Sequence, residues 1–278
     1  MLVDLHMHST FSDGRFTPTE LVKSAVAKGL GVIAITDHDS WNGIDEALAA
    51  AEQVNKAAGK QVIVVITGVE LGSQYKNDSV HILGLHVNRS YQPLQEKMDD
   101  MRHKREHRLE AMVEKLHNMG YEITVEACDP KNRAVGRPHL AKAMVAKGYV
   151  ASVQEAFDKF LRRGGPAYVP QPKLSPEEAV QLIHEAGGIA ILAHPGELAD
   201  SSLPEYLVSH VPFDGIEIKH PSAITTEEQA VWLELAHKYK LMTSGGSDYH
   251  GIPDRFPQEL GIWQVQYEDA KEVIEYKL

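Results

Sequence analysis

The amino-acid sequence predicts an α/β barrel interrupted by a small helical insertion, and three observations carry that expectation. Strand-like apolar runs followed by helix-forming stretches recur on both sides of a central break, the alternation that parallel strands with crossover helices produce. After residue 92 the rhythm stops and a charged, helix-forming segment begins. Histidines and acids gather at or just past the ends of the predicted strands, where parallel barrels assemble their chemistry.

Taken in order, Leu2–His6 reads as a strand followed by a helix near Pro18–Lys28, and Gly31–Thr36 as a strand followed by the helix Ile44–Ala58. Val62–Glu70 and Val80–Val87 are two further strands. The charged stretch Lys97–Met119 and the shorter patterns Arg137–Gly148 and Ser152–Phe160 are helical and close at Gly164-Gly165-Pro166, a strong stop signal. Alternation resumes with a helix at Pro176–Ala186, strands at Gly188–Ala193 and Gly215–Ile218, a helix at Thr226–Tyr239 and a strand at Leu241–Gly245. Residues 1–91 with 170–278 are therefore expected to form the barrel, and residues 92–169 an inserted helical lobe.

Composition narrows the function classes. A chain of 278 residues can bury a large core. Its single cysteine, Cys128, rules out an internal disulfide framework and suits a reducing cytoplasm. No run approaches the ~20 apolar residues of a membrane span, and the start of the chain lacks the basic flank and apolar stretch of a signal peptide. We expect a cytoplasmic protein with neither a membrane nor a stable protein partner implied. The net charge of −11 argues against a general nucleic-acid coat. Charge is unevenly spread: residues 97–173 hold 15 Lys and Arg against 10 Asp and Glu, the remainder 13 against 29. A basic wall beside an acidic, cation-filled site suits a small anionic substrate.

The acidic part carries the chemistry. In His6-Met7-His8 the imidazoles stand two apart, and on an extended strand residues i and i+2 face the same way, so both rings can grip one cation. Asp13, His38, Glu70, His81, His194, Asp248 and His250 lie beside other strands. His81 falls near the start or middle of its strand and is the exception to the strand-end rule. Nine candidate ligands exceed the needs of one ion and suffice for two or three. Imidazole with carboxylate suits Mn, Fe or Zn, and the lack of a cysteine cluster disfavours a structural zinc. A carboxylate that bridges, such as Glu70, lets two ions sit roughly 3.5–4 Å apart, lowering the pKa of a bound water and neutralising phosphate oxygens.

Four short motifs, Asp4-Leu5-His6-Met7-His8-Ser9, Thr36-Asp37-His38-Asp39, Ala193-His194-Pro195 and Ser247-Asp248-Tyr249-His250, resemble those of the polymerase and histidinol phosphatase domain family of metal-dependent phosphoesterases. The resemblance runs from the first residues to about Trp263. It implies a distorted (β/α)7 barrel with an inserted helical domain, and two or three divalent ions, Mn2+ first and Fe2+ or Zn2+ next. By that resemblance His6, His8, Glu70 and Asp248 bind the first ion, Glu70, His81 and His194 the second, and Asp13, His38 and His250 the third. No ligand position is substituted. The insertion and Gly136-Arg137-Pro138-His139 look like the nucleotide-processing members, which hydrolyse the 3′-phosphate of 3′,5′-nucleoside bisphosphates or trim short RNA from its 5′ end by a metal-bound hydroxide. The implied phosphate-binding residues are Arg102, Arg105, Arg137 and His139, with His139 and Asp248 as catalytic groups. Guanidinium forks grip phosphate through paired hydrogen bonds, and His139 is placed to protonate a leaving ribose oxygen.

Plainer readings apply elsewhere. His86, His103, His107, His117, His184, His210 and His237 lack partner acids in the sequence and read as ordinary surface or core residues. The expected role of Asp37 is to orient His38, and Glu217 is a candidate support for a ligand. Asp13 also fits a plain turn in Ser12-Asp13-Gly14, His220-Pro221 a simple loop, and the Arg102, Lys104, Arg105 and Arg108 run a solvated helix face. The competing functions are histidinol-phosphate phosphatase, a non-catalytic metal-stabilised module and a C–N hydrolase. The basic insertion favours nucleotides over the first. An intact ligand set in a short chain disfavours the second.

Overall fold

A computed structural model describes residues 1–128, 136–171, 173–253 and 255–276. The chain packs as two compact units, residues 1–96 with 173–278, and residues 97–172.

The first unit is built on an eight-stranded, nearly closed barrel. Its strands are β1 (Leu2–Asp4), β2 (Leu30–Ile35), β3 (Val64–Tyr75), β4 (Asp78–Leu85), β5 (Ile189–Leu192), β6 (Gly215–Lys219), β7 (Met242–Gly245) and β8 (Val265–Gln266), in the order β7-β6-β5-β4-β3-β2-β1-β8. The barrel lumen is filled by short aliphatic runs, Val3 and Leu5, Val32 and Ala34, Leu83 and Leu85, Ile189 and Ile191, all buried. Each Val, Leu or Ile side chain removed from water contributes about 1.5–3 kcal/mol. The segment that follows β1 also meets the end of β7 and the residues beyond it: Leu5 N–H donates to Gly245 O at 3.2 Å and His8 N–H to Tyr249 O at 2.9 Å. The first and seventh strands are thereby stitched together at the mouth of the barrel.

Two features refine the expected barrel. β4 runs antiparallel to both β3 and β5. Lys76 and Asn77 alone separate β3 from β4, with Lys76 at φ 50°, and a two-residue connection can only make an antiparallel hairpin. The start of β4 therefore stands at the same end of the barrel as the finish of its neighbours, which is why His81 looked like an exception. The second feature is β8, beyond the limit of the recognised motifs, which pairs antiparallel to β1 with Val3 opposite Val265.

Helices supply the crossovers. Pro18–Ala27 starts with a capping box in which Thr17 Oγ1 accepts from Glu20 N–H at 3.2 Å and Glu20 Oε2 from Thr17 N–H at 2.8 Å. Pro176–Glu185 and Thr226–Tyr239 open the same way, on Ser175 with Glu178 and on Thr225 with Glu228. A helix at Leu203–His210, not expected from the sequence, lies between the parallel strands β5 and β6. Among the described residues no helix is long and apolar enough to cross a membrane.

The second unit has its own core. Along the helix Gln92–Asn118, Leu109, Met112, Val113 and Leu116 recur at helical spacing and pack with Ile123, Leu140, Met144 and Leu161. The helix Arg137–Ala146 supplies Leu140 and Met144.

Candidate metal centre

The centre is organised around Glu70 on β3. Its Oε2 lies 2.9 Å from His38 Nδ1, 3.2 Å from His8 Nε2 and 3.6 Å from His6 Nε2, and its Oε1 3.0 Å from His81 Nδ1 and 3.1 Å from His194 Nε2. One buried carboxylate thus faces five imidazoles. Each arrives for a local reason. His6 and His8 follow β1 in extended chain, fixed by the parallel bridge of Met7 to Tyr249, and their rings stand 5.3 Å apart on one face. His38 is bridged to Glu70 itself, His81 comes from the reversed β4, and His194 leaves β5 in a left-handed turn at φ 27°. Such backbone is uncommon outside glycine and is held only by its surroundings.

Asp248, also left-handed at φ 49°, turns Oδ1 to within 3.0 Å of His8 Nε2 and 3.3 Å of His6 Nε2. Asp13 places Oδ1 3.2 Å from His250 Nε2 and 3.7 Å from His8 Nδ1, and Oδ2 4.0 Å from His38 Nε2. Ligand atoms converge in overlapping groups, His6 with His8 and Asp248, His38 with Glu70 and His81, and His8 with Asp13, His38 and His250. All nine candidates from the sequence are brought to this one place.

Two glycines let the backbone come close enough. A Cβ on Gly246 would stand 2.3 Å from His6 Cβ, and one on Gly14 2.2 Å from His8 O. No side chain fits at either position.

Supporting residues hold the rings. Glu217 Oε1 lies 3.1 Å from His6 Nδ1 and Oε2 accepts from His194 N–H at 2.9 Å, so the His6 proton is held on Nδ1 and Nε2 faces the centre. The Asp37 carboxylate is engaged away from the His38 ring, contrary to expectation. Its carboxylate accepts from Ser9 N–H at 2.8 Å, Ser9 Oγ–H at 2.6 Å and Ser12 Oγ–H at 2.5 Å, and so anchors the loop that carries Asp13.

The electrostatics are those of a site short of positive charge at its middle. Burial alone would raise the Glu70 pKa, yet His38, His81 and His6 hold it well below the usual carboxylate value. Asp248 is likewise held low against burial, chiefly by His6. Burial opposes charge on His8, but Asp248 and Glu70 raise it to about 10. His81 and His250 are pushed down, first by burial. Nε2 of His6, His8 and His250 and Oε2 of Glu70 are buried without a hydrogen-bond partner. Buried polar atoms are rarely left so. Four of them, all nitrogen or oxygen and drawn from overlapping groups of ligand atoms, fit the coordination chemistry of divalent cations.

In the second unit, Arg102 is bound to Asp99 at 2.5 Å on its own helix. Arg105 lies one turn on. Arg137 packs against Phe157 and Tyr168, 5.5 and 5.7 Å from the ring centroids, and His139 Nδ1 accepts from Gly136 N–H at 3.2 Å. Arg108 shares Tyr168 from 5.6 Å and donates to Val169 O at 2.7 Å. Burial first, then the Arg137 charge, lowers its pKa. Sequence gave Arg108 no more than a place in a charge run. Arg255, which donates to Asp248 Oδ2 at 2.5 Å, carried no signal at all.

The family model for the PHP domain matches residues 4–160. A 5′-3′ exoribonuclease of Haemophilus influenzae is 33% identical over 251 residues, 89% of each chain. A 3′,5′-nucleoside bisphosphate phosphatase of Chromobacterium violaceum is 32% identical over 259 residues, 89% of this chain and 87% of its own. Among solved structures, that of an amidohydrolase from Chromobacterium violaceum with bound sulfate and no metal superposes with a TM-score of 0.80 at 30% identity, covering 95% of this chain and 91% of that one. Barrel and site together are those of a metal-dependent phosphoesterase fold with clusters able to bind metal ions. The chain belongs to the PHP domain family.

Proposed function

We propose that this chain hydrolyses phosphate esters of nucleotides, taking the 3′-phosphate from 3′,5′-nucleoside bisphosphates, trimming short RNA from the 5′ end, or both. The observation that carries the reading is Glu70 facing five imidazoles beside Asp248. His6, His8, Glu70 and Asp248 would hold one divalent ion, Glu70, His81 and His194 a second, and Asp13, His38 and His250 a third. Mn2+ is our first choice, and Fe2+ and Zn2+ suit the same donors. Bound there, such ions supply Lewis acidity, lowering the pKa of water and offsetting phosphate charge.

The remaining work falls to the protein's own side chains. Glu217 and Asp37 keep the ligands oriented so that no reorganisation is needed when substrate arrives. Arg102, Arg105 and Arg137 hold the substrate's phosphates. His139 is the proposed proton donor to the leaving oxygen and would act as the imidazolium, protonating that oxygen and returning to the neutral ring, which requires its Nδ1 to release the Gly136 N–H it accepts at 3.2 Å. We further propose that the segment 92–169 acts as the substrate-binding insertion and that the protein works in the cytoplasm.

The deciding experiment offers the Mn-loaded protein 3′-phosphoadenosine 5′-phosphate, a 5′-phosphorylated short RNA and histidinol phosphate, and follows inorganic phosphate and mononucleotides. Release from either nucleotide substrate supports the reading and says which activity dominates. Turnover of histidinol phosphate alone would overturn it.

A further inference from the structure

Asp248 turns Oδ1 toward His6 and His8, and on its Oδ2 flank lies a cavity of about 240 Å3 whose walls include His220, Ser247, Arg255, Ile224 and Phe256. We propose that this cavity is the nucleoside subsite, taking the base and sugar of a substrate whose phosphate lies at the imidazole–carboxylate cluster. The proposal rests on the reading of the chain as a nucleotide phosphoesterase. It adds where, and by which residues, the nucleoside is recognised.

The floor of the cavity is polar and unsatisfied. His220 is 2% exposed, and Ser222 N–H donates to its Nδ1 at 3.0 Å. Nδ1 is therefore an acceptor, and the neutral ring carries its proton on Nε2. That N–H has no hydrogen-bond partner, since Asp248 Oδ2 at 3.9 Å is out of reach. The Ser247 hydroxyl, fully buried, lies against the Asp4 carboxylate, which also accepts Ser247 N–H at 2.9 Å. Buried donors are costly to leave unpaired. The His220 N–H calls for a ligand that carries acceptors, such as the hydroxyls of a sugar.

The lip is apolar and exposed. Phe256 is 44% exposed and Ile224 68%. Phe256 meets Trp263 edge-to-face, 6.3 Å between centroids at 89°, and its ring stands at the cavity rim. Arg255, anchored to Asp248, adds a planar guanidinium to the same rim. An aromatic face and a guanidinium plane beside a phosphate-handling centre are the elements on which proteins stack nucleobases. The cavity holds the volume of about eight waters, which admits one base-sized ring system and excludes a stack of them. A sugar phosphate without a base would satisfy the floor and leave the lip bare.

The test compares the calorimetric affinity of the metal-loaded protein for adenosine 5′-monophosphate and ribose 5-phosphate, in which an anomeric hydroxyl replaces the base. In the unaltered protein the base should tighten binding by roughly 5- to 100-fold. Phe256→Ala and Ile224→Ser should each shrink that ratio, and Phe256→Leu, which keeps apolar bulk without an aromatic face, should fall between Phe256→Ala and the unaltered protein. Equal affinity for the two ligands in the unaltered protein, or a ratio that none of the variants moves, overturns the subsite. Hydrolysis is measured in parallel. Failure to release phosphate from any nucleotide sinks the phosphoesterase reading itself, whereas hydrolysis without base preference removes only the subsite.

Discussion

Arg255 and Asp248 are joined by a 2.5 Å hydrogen bond to Oδ2, which leaves Oδ1 to face His8 Nε2 at 3.0 Å and His6 Nε2 at 3.3 Å. The two oxygens have separate duties because Arg255 holds the carboxylate from behind. Arg255→Ala should weaken metal binding by about 10–100-fold, the usual effect of removing a group that orients a ligand. Arg255→Lys should recover part of the loss, since a lysine restores charge without the planar fork. Chelator competition reads the affinity, and an unchanged value in Arg255→Ala would falsify the clamp.

Glu70→Gln keeps the shape of the side chain and removes the charge that five imidazoles face. Metal should be lost from both subsites that share this carboxylate, and phosphoesterase turnover with it. Elemental analysis after dialysis decides the matter. A variant that retains the full metal content of the unaltered protein rules out a bridging role for Glu70.

Metal loading should release protons. His8, lifted to about 10 in the ion-free protein, is charged at pH 8 and must lose its proton to bind an ion. For each proton displaced, affinity should rise about tenfold per pH unit between pH 7 and 9. The stability of the ion-free protein should move the other way. A raised histidine pKa contributes stability that is complete below its unfolded value of 6.5 and is lost as pH climbs through about 10. Calorimetry in two buffers of different ionisation heat counts the protons, and a count of zero contradicts the assignment of His8.

Gly246→Ala should be poorly tolerated, because its Cβ would stand 2.3 Å from His6 Cβ and 2.5 Å from His6 N. Overpacking of this kind costs about 1–3 kcal/mol. The ion-free variant should melt at a lower temperature and load less metal. A melting curve identical to that of the unaltered protein would show that the backbone yields there without consequence.

Arg137→Ala should raise KM for phosphate esters by roughly 10- to 100-fold, the range set by one charge-assisted hydrogen bond to phosphate. Steady-state kinetics on 3′-phosphoadenosine 5′-phosphate gives the answer. An unaltered KM places the phosphate grip elsewhere, with Arg108 the next residue to change.

Much of this centre was legible in the sequence because its determinants are local. An extended His6-Met7-His8 places two rings on one face whatever the rest of the chain does, and Asp248-Tyr249-His250 sets an acid and an imidazole close together in sequence, although Asp248 itself is left-handed. What escaped depends on partners far along the chain. The Asp37 carboxylate meets Ser9 and Ser12, 28 and 25 residues away, so its neighbour His38 was the wrong place to look. Arg255 has meaning only once Asp248 is fixed in its left-handed turn. Leu203–His210 was missed although the parallel pairing of β5 with β6 demands a crossover.

The reversed β4 also makes the centre hostage to a register. His81 pairs with Gly72, and Val80 and Ile82 on either side of it are fully buried apolar residues. Neighbouring residues of a strand face opposite ways. Lengthening the Lys76-Asn77 turn by a single residue would therefore turn an imidazole into the packed interior and offer a hydrocarbon in its place. One subsite would be erased while every ligand in the sequence survived, and the identity of the residues at this centre guarantees nothing unless the hairpin keeps count.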